Sequence, residues 1–282
     1  MIVIGIFNRI SLTKFNQKIN KGSILMKIVV CLKQVPDMES KFKIVDNKKV
    51  DESQIAFKIN DFDNYAVEAA LQLKEKHGGE VVIVSAGPDR AAKDIRQAFA
   101  MGADWGLHIT DPAIYEGDGF VIASALTKAI ESIGGVDLVL TGVQTEDLQA
   151  AVTGVMVADM LNVPHCTNVV KINTADGKAF TLNRELEGGL NEVLDLAAPA
   201  VLTIQSGINE PRYPTLPGIM KAKKKQLDAK SGGDLGVSAA SRTEFIKMFV
   251  PVSDTMAEII AGAPAEAAAK LVDKLKNEAK VI

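Results

Sequence analysis

Cysteine is nearly absent: Cys31 and Cys166 are the only two in 282 residues, far apart and outside any C-x-x-C pattern. That excludes a disulfide framework, fits a reducing compartment such as the bacterial cytoplasm, and marks both as small buried residues. Histidine is as scarce. His77, His108 and His165 sit in unrelated contexts with no pair at ligand spacing, so all three read as structural or surface residues. His77 precedes Gly78-Gly79, where a cation suits the end of a helix dipole. No G-x-S-x-G, G-x-x-x-x-G-K-[ST] or H-E-x-x-H pattern occurs, so the sequence does not look like a self-sufficient enzyme. No apolar run approaches the roughly 18 residues that a membrane span requires. A formal net charge of -3 argues against a nucleic-acid binder. There is no internal repeat.

What is present is ordinary core material, 47% hydrophobic with a single Trp. The first 25 residues stand apart: Arg9, Lys14, Lys18 and Lys21 meet no acid, leaving 28 basic and 35 acidic groups in the remainder. Such a leader has the composition of a transit peptide, although an upstream start or an added extension is the plainer reading. Residues 1–25 are therefore set outside the fold, and a cytoplasmic location is preferred to mitochondrial targeting.

From Met26 onward short β-branched runs alternate with helical periodicity. Strands are expected at 28–32, 81–85, 106–109 and 137–141. Phe62, Tyr65, Ala66, Ala69, Ala70 and Leu73 share one helical face, and further helices are expected at 89–101, 119–133 and 150–161. This alternation predicts an α/β fold, a mostly parallel doubly wound sheet with helices on both faces. After Pro164 the segments 168–172 and 178–184 flank Ala175-Asp176-Gly177, an added antiparallel hairpin, and strands are expected at 190–195 and 200–205. Residues 206–253 show no strong period, and 264–276 reads as an Ala-rich amphipathic helix. The expected organisation is a nucleotide-binding domain over 26–230, then a linker and extended C-terminal partner-binding arm over 231–282, ordered by another chain.

Ligands of open parallel sheets bind at the carboxyl ends of strands. Four segments end there: 31–33, 60–63, 85–88 and 142–154. Small residues at Ala86, Gly87, Ala150, Ala151 and Gly154 would admit a base or phosphate, with Thr153-Gly154 offering N–H groups and a hydroxyl; ordinary turns explain the same residues. Arg184 to Gly189 reads as a cross-strand ion-pairing cluster, with Glu187 as a partner. Lys221-Ala222-Lys223-Lys224-Lys225 is a solvated docking face rather than a phosphate site in so acidic a chain. Leu216, in a Pro-rich loop, is either core or an anchor for another protein.

Read in order, these blocks resemble the electron transfer flavoprotein beta family over essentially the whole of residues 26–282. The matching blocks are Val30-Cys31-Leu32-Lys33-Gln34-Val35-Pro36-Asp37, Ala66-Val67-Glu68-Ala69-Ala70, Ser85-Ala86-Gly87-Pro88, 98–104, 184–190 and, most specific, 209–225 with its Asn209-Glu210-Pro211-Arg212-Tyr213-Pro214 opening. The resemblance implies the small subunit of a heterodimer, an electron carrier without catalytic residues of its own, whose large subunit holds the redox FAD. The small subunit would bind AMP, or a second FAD in electron-bifurcating relatives. Carried over by motif, the nucleotide neighbours are Cys31, Asn60, Asp61, Phe62, Asp63, Ala86, Gly142, Val143, Gln144, Asp147, Val152 and Thr153. Arg212, Leu216 and Lys221 fall in the partner-recognition segment, with Leu216 docking acyl-CoA dehydrogenases or similar flavin-dependent dehydrogenases. A quinone or other acceptor would receive the electrons. One block departs from the pattern. Relatives carry a stretch rich in Asp, Asn and Gln where Leu148, Ala150, Ala151 and Val152 stand here, and the smaller demands of AMP favour it over a second FAD. The alternative reading is a stand-alone adenine-nucleotide-binding regulatory module, which would have no use for 209–225 or an arm.

Overall fold

The computed structural model describes residues 25–238, 240–252 and 257–282. The N-terminal extension expected over 1–25 therefore lies, but for Leu25, outside the described residues. The chain divides into two units, residues 25–42 with Asp51–Glu244, and Lys43–Val50 with Phe245–Ile282.

The larger unit is built on a nine-stranded sheet. Its strands are β1 (Met26–Cys31), β2 (Gly79–Ala86), β3 (Trp105–Ile109), β4 (Leu138–Gly142), β5 (His165–Thr174), β6 (Ala179–Glu185), β7 (Asn191–Ala197), β8 (Ala200–Ile204) and β9 (Leu227–Lys230). They lie in the order β7-β6-β5-β8-β4-β1-β2-β3-β9. Every pairing is parallel except β5 with β6 and β6 with β7. The expected mostly parallel sheet is thus present, and the added antiparallel element is a three-stranded meander rather than a single hairpin.

Both faces are covered, which is why the central strands are apolar throughout instead of alternating. Ile28 and Val30 of β1 point into one core cluster, while Val29 and Cys31 point into the other. Helices α1 (Asp61–His77) and α2 (Ala92–Met101) bury Ala66, Ala70, Ile95 and Phe99 in the first cluster. Helices α3 (Gly119–Ile133) and α4 (Thr153–Leu161) bury Val121, Ala125 and Val157 in the second. The helix ends follow local chemistry. Asp118 caps α3 by accepting from the N–H groups of Phe120 and Val121, and Gly78 closes α1 at φ 76°.

Three expectations change. The helix expected from residue 150 begins at Thr153, because Gln149 and Ala151 adopt φ 51° and 55°, a left-handed backbone that a helix cannot include. Strand β9 went unrecognised in a stretch read as aperiodic. Its sequence Leu-Asp-Ala-Lys has no clear alternation, and the backbone ladder to β3, with Leu227 opposite Gly106, makes it a strand. Leu216 does not lie in a loop. It opens a short helix, α5 (Leu216–Ala222), capped by the Thr215 hydroxyl, which accepts from Gly218 N–H, with Pro217 in the first turn.

The smaller unit holds the hairpin Ile44–Val45 with Lys49–Val50 and the helix α6 (Pro264–Asp273), followed by a wider turn at Lys274–Glu278. Phe245, Ile246, Phe249, Val250, Val252 and Ile259 are all exposed. Among the described residues no helix is long and apolar enough to cross a membrane, and no group of three or more His, Cys, Asp or Glu side chains could hold a metal.

Candidate functional site

The strand order contains a reversal. The chain runs outward through β1, β2 and β3, then crosses to place β4 on the other side of β1. The reversal between the carboxyl ends of β1 and β4 is the place where doubly wound folds bind ligands. The sequence-predicted residues Cys31, Asn60, Asp61, Phe62, Asp63, Gly142, Val143, Gln144, Asp147, Val152 and Thr153 all sit on the segments that meet at this end, with Ala86 at the end of neighbouring β2.

Within that group the structure separates a frame from a rim. Asp63 is buried between the two strand ends and spans them. One carboxylate oxygen accepts from Lys33 N–H at 2.8 Å and the other from Gly142 N–H at 2.9 Å. Burial pushes its pKa up to about 7, opposed by those N–H groups and by Asn60 and Lys33. Asn60, fully buried, stands at the N-cap of α1, yet its side chain does not cap the helix. Its amide donates to the Gln144 carbonyl at 2.9 Å and accepts from Glu146 N–H at 3.1 Å, so it holds the loop after β4 in place. Cys31 lies behind this frame, its thiol pushed up to about 12 by burial and by the adjacent Asp63 carboxylate.

Gly142 is required by the frame itself. A Cβ there would lie 2.5 Å from Asp63 Oδ1 and 2.7 Å from Phe62 Cβ. Gly154 likewise serves packing rather than ligand approach, since a Cβ there would lie 2.6 Å from side-chain atoms of both Thr141 and Thr203. At β2, the partly buried Ala86 leads into Gly87, whose N–H donates to the Ile109 carbonyl. The Gly87 carbonyl faces His108 Nε2 at 3.0 Å, and burial lowers the pKa of that imidazole.

The rim is the loop 143–152. Val143 N–H donates to the Ile204 carbonyl. Lys33 Nζ pairs with Asp147 Oδ2 at 2.7 Å, and Lys58 bridges Asp61 at 3.0 Å and Glu146 at 3.3 Å. Asp61 and Val152 are exposed, as are Leu148, Ala150 and Ala151. Thr153 opens α4, whose N-terminus has no side-chain cap. Among the described residues, Asp147 Oδ1, Ser85 Oγ and Gln34 Oε1 are buried at this end of the sheet without a protein partner. A nucleoside monophosphate fits this set. Its ribose hydroxyls or exocyclic amine would satisfy the Asp147 oxygen, and the uncapped N–H groups of α4 suit a phosphate.

Arg212, Leu216 and Lys221 belong to a different part of the larger unit. Arg212 is partly buried, while Leu216 and Lys221 are exposed, Leu216 at 80%. Sequence reasoning included Lys33 and Glu146 only as members of the segments 31–33 and 142–154, and missed Lys58 at the rim and the role of Glu68 and Glu75 beside Arg212. Glu68 carried a readable signal, an acid inside the apolar run Ala66-Val67-Glu68-Ala69-Ala70, which demands a buried partner. Among the described residues Glu187 makes no cross-strand ion pair; that contact belongs to Arg184 with Glu192, which face each other across β6 and β7 at 3.5 Å.

The fold and these loops define a doubly wound α/β protein with its strand-end crevice at the β1–β4 reversal. The profile described as "Electron transfer flavoprotein domain" matches residues 48–232. The chain is 38% identical over 266 residues to the electron transfer flavoprotein subunit beta of Methylophilus methylotrophus, covering 90% of this chain and 99% of that relative. It is 36% identical to the Bacillus subtilis subunit beta, covering 91% and 100% of the two chains. It is 39% identical to that of Homo sapiens, covering 91% and 99%. The chain belongs to the electron transfer flavoprotein beta-subunit family.

Proposed function

We propose that the chain is the small subunit of a heterodimeric electron transfer flavoprotein that binds AMP at the β1–β4 crevice and carries electrons through an FAD held mainly by a large subunit. It supplies scaffold and docking surface rather than catalytic groups, and works in the cytoplasm. Flavin-dependent dehydrogenases, such as acyl-CoA dehydrogenases, deliver electrons at the exposed helix α5, and a quinone or other acceptor system receives them. The observation that carries the AMP assignment is the buried, unpartnered Asp147 Oδ1 on the loop that leads into the uncapped N-terminus of α4. An extended FAD would need a second phosphate cradle and room for an isoalloxazine ring, and the apolar Leu148 and Val152 offer neither. The heterodimer rests on the exposed apolar side chains from Phe245 to Ile259, which ask for burial against another chain.

The test is to co-express the chain with a large subunit, denature the purified complex and quantify the released nucleotides by chromatography. One FAD and one AMP per 1:1 complex is the expected result. Two FAD would overturn the AMP assignment and point to bifurcation, and one FAD without AMP would show that the altered loop has lost the site. A chain that behaves as a cooperative monomer, indifferent to any large subunit, would refute the heterodimer.

A further inference from the structure

The segment that carries Leu216 is bolted to the sheet's helical layer at both ends. At its start, Arg212 lies against α1. Its Nε donates to Glu68 Oε2 at 2.7 Å and one terminal nitrogen donates to Glu68 Oε1 at 2.9 Å, a two-pronged grip on a carboxylate only 4% exposed. The Arg212 backbone N–H adds a third contact to Glu68, and the guanidinium also reaches Glu75 about two helical turns further on. Asn209 donates to the Tyr65 carbonyl at 3.0 Å. At the far end, Arg96 of α2 donates to the Ala222 carbonyl at 2.9 Å, and Lys225 donates to the carbonyls of Phe99 and Ala103. In between, α5 rests so closely on α2 that a Cβ on Gly218 would strike the Ala100 carbonyl oxygen. Tyr213, Leu216 and Met220 are nevertheless left 92%, 80% and 73% exposed. A seven-residue helix is too short to hold its own shape in water. Its conformation therefore depends on these fastenings.

We propose that Arg212 is a positioning residue: it does not touch the dehydrogenase, but its grip on Glu68 and Glu75 fixes α5 so that Leu216 is presented in its bound geometry before the partner arrives. This deepens the docking role proposed for Leu216 and rests on it. Preorganisation of this kind lowers the ordering cost of association. Arginine is required because its planar fork engages both oxygens of Glu68 while still reaching Glu75, which a lysine ammonium cannot reproduce.

The test uses the complex with its large subunit. Arg212→Lys keeps the charge and loses the fork. Amide exchange of residues 213–224, followed by mass spectrometry without partner, should accelerate by about tenfold, corresponding to ~1.4 kcal/mol of lost local stability. In turnover with a flavin-dependent dehydrogenase, KM for the flavoprotein should rise several-fold while kcat at saturation is retained. On a Leu216→Ala background the same change should add little to KM, because Arg212 acts through the anchor already removed. Glu75→Gln, which breaks only the outer contact, should move exchange and KM in the same direction by less. Unchanged exchange in Arg212→Lys would overturn the proposal. So would an equal KM increase with and without Leu216, since that pattern belongs to direct contact with the partner. If Leu216→Ala alone leaves KM at its wild-type value, the docking role itself fails, and the exchange result reports separately on the clamp.

Discussion

Replacing Asp63 by Asn removes a buried titratable group while keeping the shape that spans β1 and β4. In the folded chain the carboxyl titrates at about 7, because burial disfavours the ionised form more than the Lys33 and Gly142 N–H groups favour it. In the unfolded chain it titrates near the ordinary aspartate value of about 3.9. Between those two values the folded state binds the extra proton, so stability is fully present below the unfolded pKa and falls as pH rises through the folded one. A gap of about three pH units corresponds to about 4 kcal/mol. The Asn variant has no such slope. Its amide accepts one of the two N–H bonds and turns an NH2 toward the other, costing about 1–3 kcal/mol at any pH. Urea midpoints of the two proteins, in the same assembly state, should therefore converge or cross as pH is raised from about 5.5 to 8. The Asn variant should gain on the wild type by about 1.4 kcal/mol per pH unit below pH 7 and by nothing beyond about pH 8. A difference that stays flat across this range would refute the reasoning. It would mean that the two N–H bonds hold the carboxylate ionised despite its burial.

Gly142→Ala places a methyl 2.5 Å from Asp63 Oδ1 and should cost about 1–3 kcal/mol of stability, together with a loss of AMP from the purified complex measured by chromatography. Leu216→Ala should weaken docking to a dehydrogenase by about 2 kcal/mol, ~30-fold in affinity, with flavin content unchanged by its absorbance spectrum. Cys31, buried and with its thiol raised to about 12, should resist iodoacetamide in the native complex up to at least pH 9 and react only on unfolding, as followed by mass spectrometry.

The eight strands β1 to β8 were legible because each is a β-branched or alternating run, and α3 because Asp118 and Gly134 punctuate it. Strand β9 and helix α5 were not, for one reason. Four residues reading Leu-Asp-Ala-Lys and seven opening Leu-Pro-Gly carry too little local preference to declare themselves, and β3 and α2 supply what the sequence there does not. The start of α4 was misplaced by three residues because alanine favours helix, whereas the loop spends Ala151 on a left-handed turn. At the site, the segments could be read from strand ends, but not which side chains face a ligand. The division between frame and rim depends on residues 33, 63 and 142 meeting in space.

Helix α1 gives the two proposed sites a common origin. Its N-terminal end holds the crevice through Asn60 and Asp63, and Glu68 and Glu75, further along the same rod, hold Arg212. At a rise of about 1.5 Å per residue, Asp63 and Glu68 stand only ~8 Å apart along the helix axis. Five of the residues between Ala66 and Leu71 are apolar and buried, so α1 cannot tilt at one end without repacking the core under the other. Under the AMP reading proposed above, a nucleotide that carries no electrons would have a physical reason to sit at this end of the sheet. By sitting beyond the carboxyl ends of β1 and β4 and satisfying Asp147, it would stiffen the N-terminal end of the element on which the docking helix is clamped.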